Sequence, residues 1–86
     1  MNPEQLKAIV TERFRAVGLL HCLDLKDSIF DELPRFFEES HLTMELSITD
    51  PLLVPVACNL MNQLKSDLSV KHGLELEVVV RAKAFV

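Results

Sequence analysis

Apolar residues recur at every second position through the end of the chain: Leu74, Leu76, Val78, Val80, Ala82, Ala84 and Val86. Glu75, Glu77, Val79, Arg81, Lys83 and Phe85 alternate with them. A period of two puts successive side chains on opposite faces of a strand, so residues 74–86 read as one long half-buried strand. At about 3.3 Å per residue such a strand spans roughly 43 Å. A globule of this chain length is about 30 Å across. The strand is therefore expected to overhang its own domain, to bend, or to be covered by a second chain. Gly73 precedes it, and no glycine lies within it to mark a bend or bulge.

Two other stretches carry the helical period instead. Near the N-terminus Leu6, Ile9, Val10, Phe14 and Val17 fall on one face, with Lys7, Thr11, Glu12 and Arg15 on the other. Asn2 can cap this helix, Pro3 suits its first position, Gln5 completes a capping box, and Gly18 can end it. The second helix follows Thr49, Asp50 and Pro51, with Ala57, Leu60, Met61, Leu64 and Leu68 as its buried stripe. Val54 precedes Pro55, which disfavours helical angles there, so the regular part is expected to start near Pro55 and to close at His72 and Gly73.

The remaining segments are shorter. Leu42, Met44, Leu46 and Ile48 alternate with Thr43, Glu45 and Ser47, the pattern of a half-buried strand. Residues 19–25 alternate too and are either a short strand or a buried loop. Beyond them the chain turns acidic and aromatic. Pro34 would break a helix begun at Asp24 but fits the first turn of one capped by Asp31, so a short helix is expected at 32–40, with Leu33, Phe36 and Phe37 inward.

The order is thus helix, possible short strand, short helix, strand, long helix, long strand: a single α+β domain over residues 1–86. Its last three units form a β-α-β segment, and if its two strands lie parallel in one sheet the crossover should be right-handed. A sheet of so few strands, with helices on one face, is expected to be completed by a second subunit. Composition points the same way, because 49% of the 86 residues are hydrophobic and a chain this short buries only about 60% of its unfolded surface.

Charge and cysteine content narrow the class. The net charge is −4 with no basic stripe, which argues against a nucleic-acid partner. Two cysteines, Cys22 and Cys58, are too few for a disulfide framework and fit reduced thiols in a cytoplasmic protein. The N-terminus lacks an apolar core, and the longest apolar run is Leu52 to Cys58, so neither a signal peptide nor a membrane partner is expected.

Catalytic patterns are missing from the sequence. His21 and Cys22 are adjacent, so in a strand they would point to opposite faces. His21, His41 and His72 have no metal-ligand spacing, and two glycines cannot build a phosphate-binding loop. No enzyme activity, metal or cofactor is expected. One helix face is unusual, however. Asn59, Asn62, Gln63, Ser66 and Ser69 form an uncharged polar stripe, and amides and hydroxyls are desolvated at lower cost than charges. That stripe reads as a subunit contact or the rim of a ligand site, against the plainer reading of ordinary surface.

The last strand carries its own indication of a partner. Antiparallel self-pairing about Val79 places Glu77 opposite Arg81 and Glu75 opposite Lys83, each pair twice by symmetry, and shifting the register by one step breaks the set. The expectation is a small, non-catalytic module that self-associates, or that binds a small ligand or another protein.

Asp27-Ser28-Ile29-Phe30-Asp31-Glu32-Leu33, following an amphipathic helix, resembles the loop ahead of the modified serine in acyl carrier proteins. Glu39-Ser40-His41-Leu42 is then the nearest counterpart of that family's Asp-Ser-Leu. The resemblance implies an all-helical carrier with a phosphopantetheine arm on Ser40.

Overall fold

The hydrophobic stripes of two helices lie on one face of a three-stranded mixed sheet. The computed structural model describes residues 3–31 and 41–83, as helix α1 (Pro3–Ala16), strand β1 (Leu23–Asp31), strand β2 (His41–Ile48), helix α2 (Val54–His72) and strand β3 (Glu75–Ala82). The strand order is β1-β2-β3. β1 runs antiparallel to β2, and β3 runs parallel to it with α2 as the crossover. The β-α-β unit expected from the sequence is therefore present, and among the described residues β3 stands at a sheet edge.

α1 ends in a left-handed turn. Gly18 has φ 74°, its N–H bonds the carbonyl of Arg15, and the Leu19 N–H bonds that of Phe14. That pair of bonds satisfies carbonyls left over at the last turn. Leu6, Val10 and Phe14 are fully buried. Val17, expected on the same stripe, is exposed because the helix has already ended. Asn2, the expected cap, lies outside the described residues.

α2 opens with Asp50, whose side chain accepts from the Leu52 N–H across a short 3-10 turn at Pro51–Leu53. It closes at Gly73, φ 61°. Its buried residues are Ala57, Leu60, Met61, Leu64 and Leu68, the stripe the sequence indicates. These meet Leu23, Met44, Leu46, Ile48, Leu74 and Leu76 in one core. An ion pair between Arg13 and Asp67, 2.7 Å, ties the two helices. The Arg13 guanidinium holds the Asp67 carboxyl below its usual range.

Three expectations change. The stretch 19–25 is neither a short strand nor a loop throughout: a 3-10 turn at Leu20–Cys22 leads into β1, which is nine residues long and continues to Asp31. Of the expected strand 74–86, Leu74 and Lys83 stand outside β3, and 84–86 lie outside the described residues. At about 3.3 Å per residue β3 spans roughly 26 Å, which fits within a molecule 39 Å long, so length alone no longer demands a second chain. The β1 and β3 strands also depart from the all-helical fold that the acyl-carrier resemblance implies. The expected short helix at 32–40 lies outside the described residues.

β1 is hard to see in the sequence because its pairing is interrupted. Asp24 faces Ser47 and Ile29 faces Glu45, so residues 25–28 stand opposite Leu46 alone. The bulge holds itself together. Asp24 Oδ1 accepts from the N–H groups of Lys26 and Asp27, and Ser28 Oγ donates to the Asp24 carbonyl at 2.6 Å. The Ser47 N–H then donates to Ser28 Oγ at 3.1 Å, which rejoins the bulge to the central strand.

Candidate functional site

The sheet face turned away from the helices carries the charges. Register places Asp24, Ser47 and Arg81 side by side across the three strands, and Ile29, Glu45 and Val79 one step further along. Arg81 Nε meets Glu45 Oε1 at 2.6 Å, and an Arg81 guanidinium N–H donates to the Asp27 carbonyl. Lys83 reaches over the central strand to Asp24 Oδ2 at 2.5 Å and Asp27 Oδ2 at 3.4 Å. The end of β3 is thereby clasped to the bulge of β1. Ser47 lies between these groups and is fully buried, and its Oγ has no hydrogen-bond partner.

The hydrogen bond from Lys83 lowers the Asp24 carboxyl below its ordinary 3.8, and the same bond raises Lys83 above its ordinary 10.5. A lowered carboxyl stabilises the fold above its unfolded pKa and loses that contribution as pH falls through the folded value. A raised ammonium stabilises below its unfolded pKa and loses it as pH rises through the folded value. Lys83→Met, which keeps the apolar stem, is expected to lower the melting temperature by a few degrees at neutral pH. The gap from the parent protein should begin to narrow as pH falls below about 3.8 and as it rises above about 10.5, closing only beyond the lowered Asp24 and raised Lys83 values. A gap constant across thermal melts from pH 2.5 to 11 would mean that the clasp contributes nothing.

The positions singled out in the sequence divide into two sets. Glu75, Glu77, Val79 and Arg81 are exposed on the open face of β3, and Lys83 is half-buried just beyond it. Asn59, Asn62, Gln63 and Ser66 are all exposed on α2, so their burial would require another molecule. Leu52 and Val70, on the outward side of the same helical segment, are more than 80% exposed. Ser40 lies outside the described residues.

Glu75 and Glu77 of the first set border a groove beside α2, whereas Asn59, Asn62, Gln63 and Ser66 do not line it. That groove, of about 430 Å³, runs between α2 and the β3 edge, lined by Lys65, Ser69 and residues 73–77. Strand edges of this kind present N–H and C=O groups to an incoming strand. His21 is exposed and Cys22 buried; burial raises the Cys22 thiol pKa, the opposite of what an activated thiolate needs. Among the described residues no three His, Cys, Asp or Glu side chains group as metal ligands, and no helix is long and apolar enough to cross a membrane.

Asp24, Asp27 and Glu45, which pair with the cations of β3, were not identifiable as their partners from the sequence. The available signal was turn chemistry: Asp24 and Ser28 are residue types that bond their own backbone in tight turns. Comparison with known proteins finds no matching family model, no similar curated protein and no similar solved structure.

Proposed function

We propose that the chain is a small, non-catalytic interaction module that self-associates, with β3 pairing antiparallel to β3 of a second copy about a two-fold axis at Val79. The observation that supports this reading is the sorting of charge along an edge strand. Glu75 and Glu77 precede Val79 on the open face, and Arg81 and Lys83 follow it. Antiparallel pairing therefore sets carboxylate against cation at every charged position, whereas parallel pairing in register would set like against like.

The contacts inside the chain compete for the same cations but also hold them in place. Arg81 keeps 44% of its side chain exposed beside Glu45, and Lys83 keeps 36% beside Asp24. Both side chains lean toward β1 in the single chain, so a partner's carboxylate takes each cation in exchange for its internal contact. Reduced thiols and a cytoplasmic setting belong to the same reading.

Sedimentation equilibrium tests it. The protein is expected to be dimeric at micromolar concentration. Glu77→Arg should weaken the dimer about tenfold by creating two like-charge pairs, and adding Arg81→Glu should restore it. A monomeric parent, or a double variant no better than the single one, overturns the reading.

A further inference from the structure

Pairing two β3 edges has a steric consequence for the helices above them. Adjacent strands lie about 4.8 Å apart, whereas a helix with its side chains is about 10 Å across. Helices seated directly above two paired β3 strands would overlap by about 5 Å, so the flanks of the two α2 helices meet when each is set back from its edge, as the groove between α2 and the β3 edge allows. The flank concerned is identifiable. Lys65 and Ser69 line the groove beside β3, and steps of three and four residues back along the helix add Asn62 and Cys58 to the same stripe.

The level of the meeting point follows from the crossover. α2 runs back along β3, because β2 and β3 are parallel neighbours. Ten residues back from His72, at about 1.5 Å each, cover about 15 Å. Five residues forward from Leu74, at about 3.3 Å each, cover about 16 Å. Asn62 on the helix is thus level with Val79 on the strand.

A residue on a two-fold axis meets its own copy, so a charge there would face a like charge. Both axial positions, on separate elements, are uncharged. Valine packs against valine, and an amide is donor and acceptor at once, so two asparagines can satisfy each other. Lys65, three residues from Asn62, is displaced from the axis by about 4.5 Å along the helix, which sets it against the neutral neighbourhood of Asn59 in an antiparallel partner. Together with the sign-sorted charges of β3, this pattern fits a second copy of the chain better than a foreign strand.

We infer that α2 forms the second half of the self-association interface, packed antiparallel against α2 of a second copy, with Asn62 facing its own counterpart on the two-fold axis that passes Val79. The inference rests on the self-association reading and adds to it a helix seam with a defined centre. A single interfacial asparagine has this role in coiled coils, where it fixes register and oligomeric state.

Site-directed cross-linking tests the seam, in a Cys58→Ser background with Cys22 left in place because it is buried. Asn62→Cys is expected to convert to a disulfide-linked dimer on mild oxidation, seen as a doubled intact mass that collapses on reduction. Gln63→Cys, exposed on the same helix but one step around it, should remain monomeric in mass. In parallel, Asn62→Lys should weaken the dimer at least tenfold by sedimentation while Gln63→Lys leaves it unchanged, with circular dichroism confirming that all variants fold. If the parent sediments as a dimer but Asn62→Cys cross-links no better than Gln63→Cys, the seam is overturned and the strand pairing survives. If the parent sediments as a monomer, both fall.

Discussion

Phe14→Ala is expected to destabilise the protein by about 3–5 kcal/mol, the usual cost of emptying a fully buried phenylalanine site. Phe14 has no exposed surface, and with Leu6 and Val10 it is the fully buried stripe by which α1 joins the core. The backbone there is committed as well, because the Phe14 carbonyl accepts from Leu19 and closes the helix. Local collapse into the cavity would have to break that turn. A domain of this length has a total stability of roughly 4–13 kcal/mol, so the loss is about a quarter of it or more. Urea denaturation followed by circular dichroism reads the effect. With a slope of about 1–3 kcal/mol per molar, the midpoint should fall by at least about 1 M. Val17→Ala, at a side chain 53% exposed, should shift stability by no more than about 0.5 kcal/mol. Equal shifts in the two variants would show that α1 does not pack as described.

Leu46→Ala is expected to cost about 2–5 kcal/mol, while Leu52→Ala costs less than about 0.5 kcal/mol. The chemical deletion is identical and only the surroundings differ. Leu46 is at 0% exposure in the central strand, whereas Leu52 is at 84% in the turn before α2. Leu46 pairs with Val80 on one side, and on the other it is the single residue opposite the four-residue bulge of β1. Shortening it leaves a void beneath a segment already held by its own turn bonds, so relaxation there is limited. If the two variants melted together, the assignment of faces on β2 would be wrong.

Both predictions draw on elements that differ in how far the sequence reveals them. The boundaries of α1 and α2, the stripe from Ala57 to Leu68, the alternation of β2 and the two faces of β3 follow from periodicity and from Pro3, Gly18 and Gly73 at the helix ends. Local rules suffice there, because a helix or strand with one buried face must repeat its apolar residues at its own period. The β-α-β order was legible too, and a helix between two strands is the common way of connecting parallel neighbours, but that β2 and β3 pair directly comes from the structure.

Other features were decided by the tertiary structure. β1 escapes a periodicity reading because four residues of its bulge replace one step of the ladder, and Asp24, Asp27 and Ser28 there have the composition of a turn. The alternation from Leu74 to Lys83 overstates β3 at both ends, because pattern persists in sequence whether or not a neighbouring strand is there to pair with it. β2 ends at Ile48, whose carbonyl takes the N–H of Lys83. The partners of Arg81 and Lys83 lie 36 to 59 residues away along the chain. Which carboxylate a cation reaches depends on the order and stagger of the strands, and the alternation of charges along one of them does not encode that order.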